Sequence, residues 1–218
     1  MLTFLGWGSG FASENTSAYL ENENDLFLVD CGYIVFQKVR EKLNLEKYRN
    51  IYILITHLHP DHAGSLGQLI LYLNYVLAKK PTVVTRCEKM PVFLSSIGVN
   101  EELYSLPRNT TLNLQFIKTE HVSELDAYGF SLEMQGKKMV YTGDTSTLEP
   151  FKPYLEQADE LYVDVFKNGA VHLSIDQCLS ELLAIQAHGT KVYLMHMDDE
   201  EYIAKVAQGR LEFARLVC

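Results

Sequence analysis

The segment Thr56-His57-Leu58-His59-Pro60-Asp61-His62 places three histidines and an aspartate within six residues, directly after the apolar run Asn50-Ile-Tyr-Ile-Leu-Ile-Thr. Imidazole and carboxylate side chains at this density suit a divalent cation such as Zn²⁺, Mn²⁺ or Fe²⁺. His57 and His59 leave a strand end two residues apart, so in extended geometry both point to one side. Pro60 breaks the strand, and Asp61 and His62 open the next helix with a different aim. One short loop can thereby offer two ligands to one metal and two to its neighbour. A polar turn with surface histidines explains any one of these residues but not the four together.

The elements that must position this loop are short β-type runs alternating with helical patterns. Strand patterns fall at Leu2–Leu5, Ser17–Leu20, Leu26–Asp30, Ile51–Thr56, Thr82–Thr85, Leu112–Thr119, Gly129–Met134, Lys138–Tyr141, Glu160–Val165 and Lys191–His196. Several are continuously apolar, as expected of strands covered by helices. Helical periodicity marks Val35–Leu45 and Leu66–Leu77. Ser174-Ile-Asp-Gln177 reads as a capping box opening a helix to Ala187, with His188 interacting with its last carbonyls and Gly189 as its stop. Glu200–Leu216 reads as a final amphipathic helix. The segments "LFLVDCG" and "KMVYTGDT" echo one another: each runs from a strand into Asp plus Gly. That echo suggests two similar β-rich halves meeting at one core with helices outside, an α/β class four-layer α/β/β/α sandwich formed by a single domain over residues 1–218.

Composition excludes several classes. The 218 residues are 47% apolar and 22% charged, the ordinary globular range, which removes disorder, collagen-like repeats and coiled coil. With 19 Lys+Arg against 28 Asp+Glu the formal net charge is −9, unsuited to a sequence-blind nucleic-acid binder held by a basic surface. No run of 18 apolar residues exists to span a membrane, and the start shows no basic region or cleavage pattern of a signal peptide. Cys31, Cys87, Cys178 and Cys218 lie far apart with no C-x-x-C pair, so free, mostly buried thiols and a cytoplasmic location are expected.

The H-x-H-x-D-H segment resembles that of the metallo-β-lactamase-fold hydrolases, and the resemblance extends over the whole chain. The family follows this motif with a single His, an Asp in a Gly-Asp-Thr-like turn, and a last His after a late strand. These positions match His121 in "KTEHVSE", Asp144 in "YTGDTS" and His196 in "VYLMHMDD". Taken singly, His121 reads as a surface histidine, Asp144 as a helix cap and His196 as a strand-closing residue. The resemblance implies instead a first metal site of His57, His59 and His121, a second of Asp61, His62 and His196, and Asp144 bridging the two. It also implies that Asp30 supports the site by orienting a metal histidine or its loop; an Asx turn is the competing reading. The implied cofactors are two divalent ions, zinc first by affinity order, with manganese or iron as alternatives.

Class B β-lactamases resembling this fold carry Cys where this chain has Asp144, which disfavours penicillin hydrolysis. An oxygen bridge between two ions suits a shared hydroxide, able to attack a phosphodiester or a thioester carbonyl. The opening "FLGWGSGFASENTSAYL" and the run "HAGSLGQLI" are similar to the ribonuclease Z branch. His172 in His-Leu-Ser stands where that branch places a non-ligand acid/base, and Asp164 in "YVDVF" where it carries a Glu that holds this histidine. Together with Asp61 these are the expected catalytic residues. Only 22 residues separate His121 from Asp144, leaving no room for the basic tRNA-clamping arm of ribonuclease Z. The expected activity is therefore that of a binuclear phosphodiesterase acting on a small molecule or short nucleotide, with no membrane and no large structured RNA as partner; a homodimer remains open. The alternatives are a thioesterase or lactonase of the glyoxalase II type, a ribonuclease Z-like tRNA 3′-processing nuclease, and a non-enzymatic binding module.

Overall fold

In the computed structural model, which describes residues 1–110 and 112–217, the chain forms two mixed sheets. The first contains β1 (Thr3–Gly6), β2 (Ser17–Asn22), β3 (Asp25–Val29), β4 (Asn50–Ile55) and β5 (Thr82–Thr85), hydrogen-bonded in that order. β1 to β3 are antiparallel, and β3 to β5 are parallel. Parallel neighbours need crossovers; here these are α1 (Val35–Lys42) between β3 and β4, then α2 (Pro60–Ala63) and α3 (Leu66–Tyr75) between β4 and β5. A further helix, α4 (Met90–Ser96), precedes the second sheet and has no counterpart in the sequence reading.

The second sheet repeats the plan. β6 (Leu114–Lys118), β7 (Tyr128–Met134) and β8 (Lys137–Tyr141) are antiparallel, and β8 is followed by parallel β9 (Glu160–Asp164) and β10 (Lys191–Met195). The β7–β8 turn is Gln135-Gly136, both left-handed at φ 54° and 73°, the conformation a two-residue hairpin demands. The crossovers are α5 (Lys152–Leu155) between β8 and β9 and α6 (Ile175–Ala187) between β9 and β10. The echo between "LFLVDCG" and "KMVYTGDT" thus marks equivalent places: each is the first parallel strand of its sheet leading into its crossover.

Strand side chains alternate between layers. In β4, Ile51, Ile53 and Ile55 join the outer core under α1, α3 and α4, while Leu54 enters the core between the sheets. In β10, Val192 and Leu194 face the helices of the second half, and Tyr193 and Met195 face the centre. The central core holds Phe4, Phe27, Phe130, Tyr141, Tyr162 and Tyr193. Phe130 stacks on Tyr141 and Tyr162 on Tyr193, each with centroids 5.1 Å apart. Full burial of such side chains contributes about 1.5–3 kcal/mol each. The four-layer α/β/β/α sandwich follows from this alternation.

Two local expectations are corrected. The tail is not one helix: α7 (Glu200–Ala207) ends at Gln208 and Gly209, both left-handed (φ 53° and 68°), and the chain continues as β11 (Glu212–Phe213) beside β10. Two successive left-handed residues cannot extend an α-helix. Beyond β11, Val217 N–H donates to the Phe4 carbonyl at 2.8 Å, tying the two sheets together. Nor does Ser174 cap α6 with its side chain; its backbone is engaged in an isolated bridge with Phe166, and its hydroxyl reaches the Lys167 carbonyl at 3.4 Å. His188 does close that helix, Nδ1–H donating to the Ala184 carbonyl at 2.7 Å. Cys31, Cys87 and Cys178 are free and buried, burial pushing their thiols up to about 12, 11 and 12; Cys218 lies outside the described residues. Among the described residues no helix is long and apolar enough to cross a membrane.

Candidate metal centre

The chemistry-bearing residues gather at one edge, where the parallel strands of both sheets end. β3 delivers Asp30, β4 delivers Thr56 and His57, β8 leads to Asp144, β9 ends in Asp164 and β10 leads to His196. Asp30 and His196 are left-handed (φ 59° and 56°), an unusual conformation for residues with a Cβ and one that clusters at functional sites. The His57–His62 loop packs tightly on its neighbours. Cys31 N–H donates to the His62 carbonyl at 2.7 Å. Gly32 has no alternative there, because a Cβ would stand 2.0 Å from the Asp61 carbonyl oxygen.

Two groups of donor atoms result. In the first, His59 Nδ1 lies 2.9 Å from His57 Nε2 and 3.3 Å from His121 Nε2. In the second, His62 Nε2, His196 Nε2 and Asp61 Oδ2 form a near-equilateral triangle with sides of 3.2, 3.2 and 3.3 Å. Asp144 stands between them. Its Oδ2 is 3.6 Å from both His57 Nε2 and His121 Nε2, and its Oδ1 is 3.3 Å from His62 Nε2. All seven residues named from sequence are brought together in two sets that share Asp144.

Tautomers give the test of whether a cation fits. His121 Nδ1 faces the Val171 carbonyl at 3.0 Å, which can only accept, so this nitrogen carries the proton. His62 Nδ1 faces Asp30 Oδ2 at 2.9 Å, and His196 Nδ1 faces Asp164 Oδ1 at 3.2 Å. Thr56 Oγ1 donates to Asp30, leaving its lone pair to accept from His57 Nδ1–H at 3.1 Å. With each Nδ1 committed outward in this way, the Nε2 atom of all four rings points inward, at other ring nitrogens and at carboxylates. Asp144 Oδ1 is buried without a hydrogen-bond partner. Such a convergence of acceptors is stable only around positive charge. Nitrogens on a tetrahedral zinc at 2.0–2.1 Å lie roughly 3.3 Å apart, close to the spacings here. The donor set fits divalent metal.

The pKa shifts divide the two groups. Burial, reinforced by His62, holds His57 well below the ordinary imidazole value, and burial with His121 lowers His59. Burial opposes charge on His62 and His196 too, but carboxylates outweigh it. Asp144 and Asp30 raise His62 well above its usual value, and Asp144 with Asp164 and Asp61 raises His196 to about 10. Asp61 and Asp144 stay ionised: burial would raise both, and the surrounding histidines drive them below the usual carboxylate range. The carboxylates of the second group thus favour positive charge there, which a divalent ion would supply in place of protons.

His172 is not part of these two sets; its nearest donors form a third group with Asp144, Asp164 and His196. Its Nδ1–H donates to Asp164 Oδ2 at 2.8 Å, and its ring lies against Phe166 with centroids 3.8 Å apart. Asp164 is fully buried and also accepts Thr145 N–H at 3.1 Å, so it positions histidines and is shielded from the pocket. Asp30 is buried likewise and does orient metal-group histidines. Three participants were not found from sequence: Thr56, which relays Asp30 to His57; the Val171 carbonyl behind His121; and Phe166. A threonine, a main-chain carbonyl and a phenylalanine carry no sequence signal of such roles. A cavity of about 670 Å³ opens above both groups, lined by Ser9, Gly10, Phe11, Tyr33, His172 and the ligand-type side chains, among others.

Comparisons with known proteins agree with this geometry. A relative from Bacillus phage vB_BsuM-Goe3, "Anti-Pycsar protein Apyc1", is 29% identical, the match covering 98% of this chain and 95% of the relative. A "UPF0173 metal-dependent hydrolase" of Alkaliphilus metalliredigens is 33% identical over 43% of this chain and 45% of its own. The solved metallo-β-lactamase fold protein YhfI from Bacillus subtilis superposes with a TM-score of 0.77 at 18% identity, covering 99% of this chain and 95% of that one. The family model described as "Anti-Pycsar protein Apyc1" matches residues 1–92 and 92–217. With that match, and with a site whose donor atoms converge as a divalent metal requires, the chain belongs to the anti-Pycsar protein Apyc1 family and is a metal-dependent hydrolase of the metallo-β-lactamase fold.

Proposed function

We propose that this chain is a phosphodiesterase acting on a small phosphodiester. The observation that carries the reading is His172, a histidine outside the two ligand triads that lines the same cavity with Nδ1 committed to Asp164 and Nε2 left for other chemistry. A thioester releases a thiolate whose conjugate acid has a pKa near ~8.5, which needs little help to leave. An alkoxide leaving from phosphorus needs a proton, and a held imidazole within reach supplies one.

In this reading His57, His59 and His121 would hold one divalent ion, Asp61, His62 and His196 a second, and Asp144 would serve both. Ions bound there would supply a nucleophile at neutral pH and neutralise charge on the phosphoryl oxygens. The chain's own part is to fix the ligand tautomers through Asp30, Thr56, Val171 and Asp164, and to hold the His172 proton donor at the pocket wall. Zinc suits the nitrogen-rich donor set, with manganese or iron as alternatives. A cavity of about 670 Å³ is of the size that takes small molecules, and a net charge of −9 gives little hold on a large structured RNA. As the name of its relatives indicates for them, the proposed role is opposition to Pycsar.

The test is protein reconstituted with zinc, manganese or iron and offered bis(p-nitrophenyl) phosphate and an acyl-thioester. Turnover of the phosphodiester is expected. Turnover of the thioester alone, unchanged in His172→Ala, would overturn the reading.

A further inference from the structure

We infer that Phe166 is a positioning residue for His172, forming with Asp164 a two-point clamp on one imidazole; the inference rests on the phosphodiesterase reading above. β9 continues through Val165 to Phe166. Side chains two apart on an extended chain face the same way, so Asp164 and Phe166 project together while Val165 is buried in the helix-side core between them. Asp164 meets the ring at its edge through the 2.8 Å bond to Nδ1. Phe166 meets it at its face, with planes 5° from parallel and centroids 3.8 Å apart. The edge bond alone lets the imidazole swing about the N–H···O axis, and the His121 and His196 rings stand farther off, with centroids 5.0 and 5.2 Å away at tilted angles. The stacked face removes that motion and gives Nε2 one direction.

The backbone places the two rings together. Phe166 N–H donates to the Leu173 carbonyl at 2.8 Å, and the Phe166 carbonyl accepts Ile175 N–H at 2.9 Å. The loop bearing His172 is therefore closed at its base on the residue that supplies the stack. Its tip turns through Gly169 and Ala170, both left-handed (φ 73° and 71°). At its start Lys167 is anchored twice: N–H to Asp198 Oδ1 at 2.8 Å and Nζ to Asp199 Oδ2 at 2.9 Å. Phe166 is itself only half-buried and lines the cavity. Its placement serves the imidazole face more than the core.

Phe166→Leu keeps most of the volume and removes the flat face; Phe166→Tyr keeps the face. Misplacing a catalytic group by about 1 Å can reduce rate by ~10²-fold. Phe166→Leu is expected to lower kcat about 10- to 100-fold on a diester with an alkoxide leaving group, with KM and metal content unchanged. The loss should be small on bis(p-nitrophenyl) phosphate, whose leaving group needs little protonation, and Phe166→Tyr should restore the rate. Adding Phe166→Leu to His172→Ala should cost nothing further, because residues acting as one unit are not additive. Independently of turnover, the His172 ring protons should resonate upfield in the wild type through the Phe166 ring current, and return downfield in Phe166→Leu. Full rates in Phe166→Leu beside a slow His172→Ala would overturn the clamp alone, as would equal losses on both leaving-group classes or unshifted wild-type ring protons. Normal rates in His172→Ala on every diester would instead overturn the acid assigned to His172, and the clamp with it.

Discussion

Two buried aspartates at the ends of parallel strands, Asp30 after β3, the first parallel strand of its sheet, and Asp164 at the end of β9, the second of its own, organise the two halves of the centre. Each orients two histidines. Asp30 holds His62 directly and His57 through Thr56. Asp164 holds His196 and His172. The difference lies in what those histidines do. Both partners of Asp30 belong to the proposed ligand triads, whereas Asp164 divides its oxygens between one histidine of a triad and one outside them. A buried strand-end aspartate thus serves pure support in the first half and, in the second, support joined to the proposed proton donor. Repetition of the scaffold does not force repetition of the chemistry.

The comparison can be broken or sharpened by experiment. The largest effect is expected at Asp144, the carboxylate between the halves: Asp144→Ala should abolish turnover and lower bound metal, and full activity with full metal would show that the residue does not bridge. Asp164→Asn comes next. It loosens His172 and His196 together, so turnover of poor leaving groups should fall about 10²-fold or more, with a smaller loss of metal affinity. Asp30→Asn should move metal affinity alone, by about 10- to 100-fold, with no dependence on leaving group. Equal behaviour of the two variants would erase the distinction between the halves; metal titration and a leaving-group series read it out.

The pH dependence is expected to be smaller and one-sided. His62 and His196 have pKa values raised in the metal-free fold, the latter to about 10. A raised histidine stabilises the fold fully below its unfolded value near ~6.5 and loses that contribution as pH climbs through the folded value. Metal-free protein should therefore lose melting temperature between about pH 6.5 and 10, and bound metal should restore it. Metal must displace these protons, so affinity should fall as pH drops, by about tenfold per unit for each proton released. His57 and His59, held low, should contribute none of this. A melting temperature of the metal-free form that rises with pH would contradict the charge assignment. The smallest effect belongs to His188, remote from both halves: His188→Ala should cost about 0.5–1 kcal/mol as a lost helix terminus interaction and leave kcat unchanged.

Legibility from sequence followed distance along the chain. His57, His59, Asp61 and His62 share one loop, so their spacing alone announced a metal-type cluster. His121, Asp144 and His196 are single residues separated by whole strands, and each has an innocuous local reading; only resemblance to a family connected them. The strands were legible because buried β-runs are apolar, and their ends were less so, because hydrogen-bond register decides them. Glu200–Leu216 failed as one helix because the amphipathic pattern runs through Gln208-Gly209, where backbone conformation, not side-chain polarity, ends it.

Apolar runs with intervening helical patterns only hinted at the α/β sandwich, and resemblance of the motifs to a known family carried it; the presence of metal-type donors was set by residue chemistry that no folding can change. The tertiary structure alone decided which nitrogen of each histidine faces inward, that Asp144 divides its oxygens between two groups, and that Phe166 lies flat on His172. These are properties of direction. A residue type fixes what a side chain can donate or accept; only neighbours from distant strands, arriving at a common edge, fix where it points.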